Sequence, residues 1–144
     1  MTVKARHFGI VVQNLSQSLK LYKKILGLNI WKRNVEKGFY IDNVVGLKNT
    51  VLEWIKLKDK NGFILELIKY HRPALKKNSK AIPANQIGCS HIALTVLNIE
   101  SMYKKLINNG YHCNSVPQVS PDGKAKVLYC RDKDGVIMEL VEEL

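Results

Sequence analysis

Acidic residues are in short supply in this chain of 144 residues. Only 12 Asp and Glu stand against 23 Lys and Arg, for a formal net charge of +11. Such an excess points first to polyanions, but the basic residues are spread over helix faces and loops, and no recognised nucleic-acid motif accompanies them. Nucleic acid is therefore not expected as a partner. The densest basic stretch, residues 69–80, reads first as a solvated linker and second as a patch steering an anionic substrate. Cysteine is nearly missing. Cys89, Cys113 and Cys130 are odd in number, lack Cys-x-x-Cys spacing and fall in or near strand-like runs, so buried reduced thiols are expected. Long apolar runs are also lacking. The run from Phe8 to Val12 is too short to cross a bilayer or form a secretory core, so a cytoplasmic protein with no membrane partner is expected. The apolar share of 46% and charged share of 24% are those of a globular chain. A single domain over 1–144 would bury about two-thirds of its extended surface.

What the chain does have is a repetition. Residues 58–68 read Lys-Asp-Lys-Asn-Gly-Phe-Ile-Leu-Glu-Leu-Ile, and residues 131–141 read Arg-Asp-Lys-Asp-Gly-Val-Ile-Met-Glu-Leu-Val. Upstream, His7-Phe-Gly-Ile-Val-Val answers His91-Ile-Ala-Leu-Thr-Val. The spacing predicts βαβββ in each half: module one over 5–70, a connector over 71–88 with Pro73 and Pro83, and module two over 89–143. Strands are expected at 5–12, 28–33, 51–58, 63–70, 90–96, 111–116 and 124–131, with a last strand after the second turn. In the first helix Asn14 caps, Leu15, Leu19, Tyr22 and Leu26 repeat at helical spacing, and Gly27 stops it. In the second Asn98 caps, Ile99, Met102 and Leu106 form one face, and Gly110 stops it. Asp59–Gly62 and Asp132–Gly135 are the turns joining the last two strands of each module.

Strand alternation puts Phe8, Ile10, Val12, Leu65 and Leu67 under the helix of module one. Ile92, Leu94, Val96, Met138 and Leu140 do the same in module two. His7, Glu66, His91 and Glu139 then fall on the opposite, concave faces, with Gly9 and Ala93 leaving room for a ligand. A lone His or Glu in such a strand is ordinarily a surface residue. Four at matched positions point to a joint metal site. Two imidazoles and two carboxylates suit Ni, Co, Zn or Mn and are too hard a set for Cu(I). They leave two neighbouring positions for substrate oxygens, where the ion would acidify a carbon beside a carbonyl.

These paired starts and paired Asp-x-[Asp/Asn]-Gly-x-x-x-Glu-Leu ends resemble the vicinal-oxygen-chelate superfamily, which includes glyoxalase I, methylmalonyl-CoA epimerase, extradiol dioxygenases and fosfomycin-resistance enzymes. The likeness runs from Ala5 to Glu143. It implies an α+β fold whose two tandem βαβββ modules curl mixed sheets into a cup around one divalent metal. It also implies that His7, Glu66, His91 and Glu139 are the ligands. The activity implied is that of a lyase or isomerase moving a proton next to a carbonyl of a small anionic substrate, with Glu139 and Glu66 as the catalytic carboxylates. Extradiol dioxygenases carry His where this chain has Glu66. Glyoxalase I typically has Arg and Asn where this chain has Val11 and Tyr70. An extradiol-type oxygenase, and a metal-free binding protein of the resistance type, are the alternatives.

Further expectations concern the rim. With Ile55 facing Glu66, Glu53 and Lys126 would line the cavity, or else form rim salt bridges. Gly38–Asn43 is either ordinary loop packing or a lid carrying Tyr40 and Asp42 to the substrate. A homodimer is expected, with cups completed within or between chains.

Overall fold

The computed structural model describes residues 2–77 and 81–144. The end of the basic stretch at 78–80, inside the expected connector, lies outside the described residues. The chain divides into two compact units, Met1–Lys77 and Asn78–Leu144. The fold is α+β, with one mixed sheet in each unit.

Unit one starts with β1 (Phe8–Val11) and α1 (Leu15–Leu19), capped as expected by Asn14, whose Oδ1 accepts the Gln17 N–H at 3.0 Å. From Lys20 to Ile25 the helix loosens into a π-helical turn, with the Leu26 N–H reaching Leu21 O. The wider turn rotates the following side chains. The buried stripe is Leu15, Ser18, Leu21 and Tyr22, and the expected Leu19 and Leu26 are only half-buried. Gly27 ends the element at φ +82°, the left-handed conformation that favours glycine. Next come β2 (Asn29–Lys37), α2 (Phe39–Val45), β3 (Val51–Lys58) and β4 (Ile64–Arg72). The sheet order is β1-β4-β3-β2, with β1 parallel to β4.

Two differences from the sequence expectation stand out here. The segment expected as loop or lid forms α2, which buries only Ile41 and leaves Phe39 and Tyr40 largely exposed. The β3–β4 register is shifted by one: Lys56, not Ile55, lies opposite Glu66. The Asp59 N–H bonds to Phe63 O, which draws Phe63 into the turn and starts pairing at Lys58–Ile64.

Unit two runs β5 (His91–Thr95), α3 (Ile99–Asn108), β6 (His112–Cys113), β7 (Gln118–Val119), β8 (Ala125–Arg131) and β9 (Ile137–Glu143). Its order is β5-β9-β8-β6, with β7 also on β8 and β5 parallel to β9. Of the strand expected at 111–116 only His112–Cys113 forms, and β7 lies beyond it. Asn98 Oδ1 accepts the Ser101 N–H at 2.8 Å, and the Glu142 carboxylate accepts the Ile99 N–H at 2.7 Å. Both serve N–H groups that an α-helix start leaves unpaired, and the second adds a negative charge at its positive end. Ile99 and Leu106 are buried, while Met102 is half-buried.

The two turns are built alike. Asp59 Oδ1 accepts from Asn61 and Phe63 N–H, and Asp132 Oδ1 from Asp134 and Val136 N–H. In each unit the core lies on the helix side of the sheet. Leu65, Leu67, Met138 and Leu140 are fully buried, as expected. Each such side chain stabilises its unit by about 1.5–3 kcal/mol relative to exposure. All three cysteines are free, but only Cys130 is buried; Cys89 and Cys113 are half-exposed. Cys113 lies opposite Cys130 across β6–β8, and burial pushes both thiols up. No helix among the described residues is long and apolar enough to cross a membrane.

Candidate functional site

The parallel pairing in each unit fixes a His beside a Glu. In unit one Gly9 lies opposite Glu66, which brings His7, two residues earlier, over the carboxylate. His7 Nε2 stands 2.7 Å from Glu66 Oε2, and the Glu66 side chain is mostly buried. In unit two Ala93 lies opposite Glu139, and His91 Nε2 stands 2.9 Å from Glu139 Oε2. The four residues singled out in the sequence are thus gathered as two like pairs, on the sheet face away from the helix. Among the described residues no group of three or more His, Cys, Asp or Glu side chains gathers to hold a metal.

A His–Glu contact alone is weak ground for a metal. His71 Nε2 and Glu53 Oε2 lie 3.0 Å apart at the far end of β3–β4, and this pair has no counterpart among the described residues of unit two. The repetition of the other pairs at one register position is what separates them. Their geometry also suits a metal. Ligand arms of about 2.0–2.2 Å at right angles place neighbouring donor atoms about 3 Å apart. That separation is already present in each pair. Each imidazole would have to be neutral, with its proton on Nδ1, to offer Nε2.

The space beside the carboxylates is kept small-residued. A Cβ on Gly9 would meet Ile68 Cδ1 at 3.5 Å and Glu66 Oε2 at 3.8 Å, ordinary contact distances. Alanine at 93 shows that the matching position takes that methyl.

Three expected rim residues are elsewhere. Glu53 pairs with Lys69 and Lys126 with Glu142, on the faces that carry Leu67 and Leu140 and not those of Glu66 and Glu139. They form ion pairs there, Glu53 with His71 and Lys126 with Glu100 at 3.3 Å. Asp42 is a tether. Its carboxylate accepts the N–H groups of Thr50 at 2.7 Å and Asn49 at 3.0 Å. The Thr50 bond, above all, holds its acidity below the usual carboxylate range.

The residues opposite the two carboxylates went unread in the sequence. They are Lys56, 3.8 Å from Glu66 Oε1, and Tyr129, opposite Glu139 with its ring 5.3 Å from that of His91. Desolvation first, then the Glu139 charge, pushes the Tyr129 hydroxyl up. Counting Phe63 as part of the first turn and Val136 as part of the second would have found both.

Residues 4–140 match the family described as Glyoxalase/Bleomycin resistance protein/Dioxygenase superfamily. The chain belongs to this superfamily. Among superfamily relatives it is 31% identical, over 97% of its length and 78% of the other's, to a protein named methylmalonyl-CoA epimerase, mitochondrial, from Dictyostelium discoideum. Among solved structures it is similar to a glyoxalase family protein of Bacillus cereus, with TM-score 0.90, 23% identity, and coverage of 100% of this chain and 96% of that one. It is also similar in fold to the trypanothione-dependent glyoxalase I of Leishmania major, with TM-score 0.64, 19% identity and coverage of 99% and 88%.

Proposed function

We propose that this chain is a metal-dependent isomerase that moves a proton on the carbon beside a carbonyl of a small anionic thioester, as an epimerase of methylmalonyl-CoA would. The observation that carries this reading is the twin His–Glu pair, set at the same register in both units with donor atoms at 2.7 and 2.9 Å. The 31% identity to a protein named for that epimerisation supports the choice of substrate class. His7, Glu66, His91 and Glu139 would together hold one divalent ion, of the Ni, Co, Zn or Mn kind. When bound, the ion would supply a Lewis acid that stabilises negative charge on the substrate's neighbouring oxygens.

The chain's own residues do the rest. The two imidazoles would hold the ion through Nε2 without adding charge. The two carboxylates would balance the ion's charge, and either could take a proton from a carbon brought within hydrogen-bond reach. Glu139 is the better placed of the two to act as base, because among the described residues no ammonium pairs with it, whereas Lys56 stands beside Glu66.

The test is hydrogen exchange. The metal-loaded protein is incubated with methylmalonyl-CoA in deuterated water under anaerobic conditions, and label at the carbon between the carbonyls is read by mass spectrometry. Enzyme-dependent incorporation without oxygen is expected. No incorporation above the protein-free control would refute the reading.

A further inference from the structure

The half-site of unit one carries a cation that the repeat does not require. Lys56 lies directly opposite Glu66 on β3–β4, on the same sheet face. Its side chain is only 19% exposed, and Nζ is held 4.6 Å over the Trp54 ring. That ring is itself fixed by its Nε1–H, which donates to Glu36 Oε1 at 2.9 Å. The ammonium therefore has a defined place.

Among the described residues no side chain accepts a hydrogen bond from it. Glu66 Oε1 is 3.8 Å away, beyond hydrogen-bond range, and the other oxygen of that carboxylate is taken by His7. Lys32 lies directly opposite Lys56 on β2–β3, with its own Nζ 4.5 Å over Trp31. Like charges facing each other across a strand pair are unfavourable. A mostly covered lysine side chain that faces another lysine, and whose ammonium makes no hydrogen bond within the described residues, favours an anion beside it.

We propose that Lys56 is the specificity-determining anchor of this site, taking a carboxylate oxygen of the substrate. The inference rests on the proton-transfer reading above and adds to it which residue selects an acid over a neutral thioester. With the Glu66 charge turned to a bound ion, the Lys56 ammonium would be left to a substrate carboxylate. Unit two has Tyr129 in the equivalent place, so the anchor is one-sided and would orient the substrate.

The test compares wild type, Lys56→Met, which keeps the apolar stem over Trp54, and Lys56→Arg, which keeps the charge. Dissociation constants for methylmalonyl-CoA and for propionyl-CoA, which lacks the carboxylate, are measured by calorimetry on metal-loaded and metal-free protein. Thermal unfolding of each variant is recorded alongside. Lys56→Met is expected to weaken methylmalonyl-CoA about 10–100-fold and leave propionyl-CoA unchanged, with Lys56→Arg largely restoring the preference. Equal weakening of both thioesters, or no weakening of either, overturns the anchor. If wild type exchanges the substrate proton while Lys56→Met keeps its preference for the acid, the anchor fails and the proton-transfer reading stands. If the acid preference depends on Lys56 but no exchange occurs, the anchor stands and the proton-transfer reading fails.

Discussion

Replacing Glu139 by Gln separates a catalytic carboxylate from a structural one, because the amide has nearly the same shape and keeps an acceptor oxygen. The structural part of the cost is small. Glu139 Oε2 makes one contact, at 2.9 Å, to an imidazole that is itself 43% exposed. Exchanging a charge-assisted hydrogen bond for a neutral one costs about 1 kcal/mol. In a chain of this size that shifts the melting temperature by about 2–4 °C. The functional part is much larger, since removing a general base typically costs about 10²–10⁴ in rate. A thousandfold loss corresponds to about 4 kcal/mol of barrier. The assay is deuterium incorporation into methylmalonyl-CoA, with thermal unfolding of the same samples. Metal content is measured on each sample, so that loss of the ion is not mistaken for loss of the base. The reasoning fails if the variant exchanges at the wild-type rate. It fails equally if melting drops by 10 °C or more, which would make Glu139 a structural residue.

Three further outcomes are expected. Dialysis against a chelator should abolish exchange, and one equivalent of a divalent ion per site should restore it. The ion should also raise the melting temperature, by mass action on the folded state; no metal-dependent shift in melting would count against the ligand set. Asp42→Ala should destabilise the chain at neutral pH. Because the folded acidity of Asp42 is held below the ordinary value of 3.8, its stabilisation is fully present above that pH and is lost as pH falls through the lower folded value. The melting difference between wild type and variant should therefore close in strong acid, and a gap unchanged there would refute the tether. The chain should sediment as a dimer at micromolar concentration. Mixing His7→Ala with His91→Ala subunits should restore activity if sites are shared between chains, and no recovery after verified exchange would place each site within one chain.

Much of the fold is legible in the sequence because the repeat checks itself. Asp59 and Asp132 each cap a turn with the same two backbone donors, so either copy predicts the other. The faces of His7, Glu66, His91 and Glu139 follow from strand alternation, which survives an error in strand ends. Register does not survive it. Reading Phe63 as the first residue of β4 moved every β3 partner by one and placed Glu53 with the site, when it sits on the buried face paired to His71. The helix α2 left no periodic signal because it buries Ile41 alone. The π-helical turn after α1 is likewise silent, since apolar spacing does not report one extra residue in a turn.

The two units differ at a position where a substrate, and not a metal, would be felt. The imidazole, the carboxylate, the small residue opposite it and the Asp-capped turn are repeated in kind. The residue across the ladder from the carboxylate is Lys56 in one unit and Tyr129 in the other. A metal needs matched donors and is indifferent to whether an ammonium or a phenol stands behind them. A substrate with a carboxylate at one end is not indifferent, because only one of these groups carries a permanent charge at neutral pH. Divergence at this ladder position, beside donors that are repeated in kind, is what would separate two roles within one duplicated plan. Swapping the two residues, Lys56→Tyr with Tyr129→Lys, should preserve metal content while weakening or reversing the preferred orientation of the acid. Metal loss in the swapped protein would show instead that the position serves the ion.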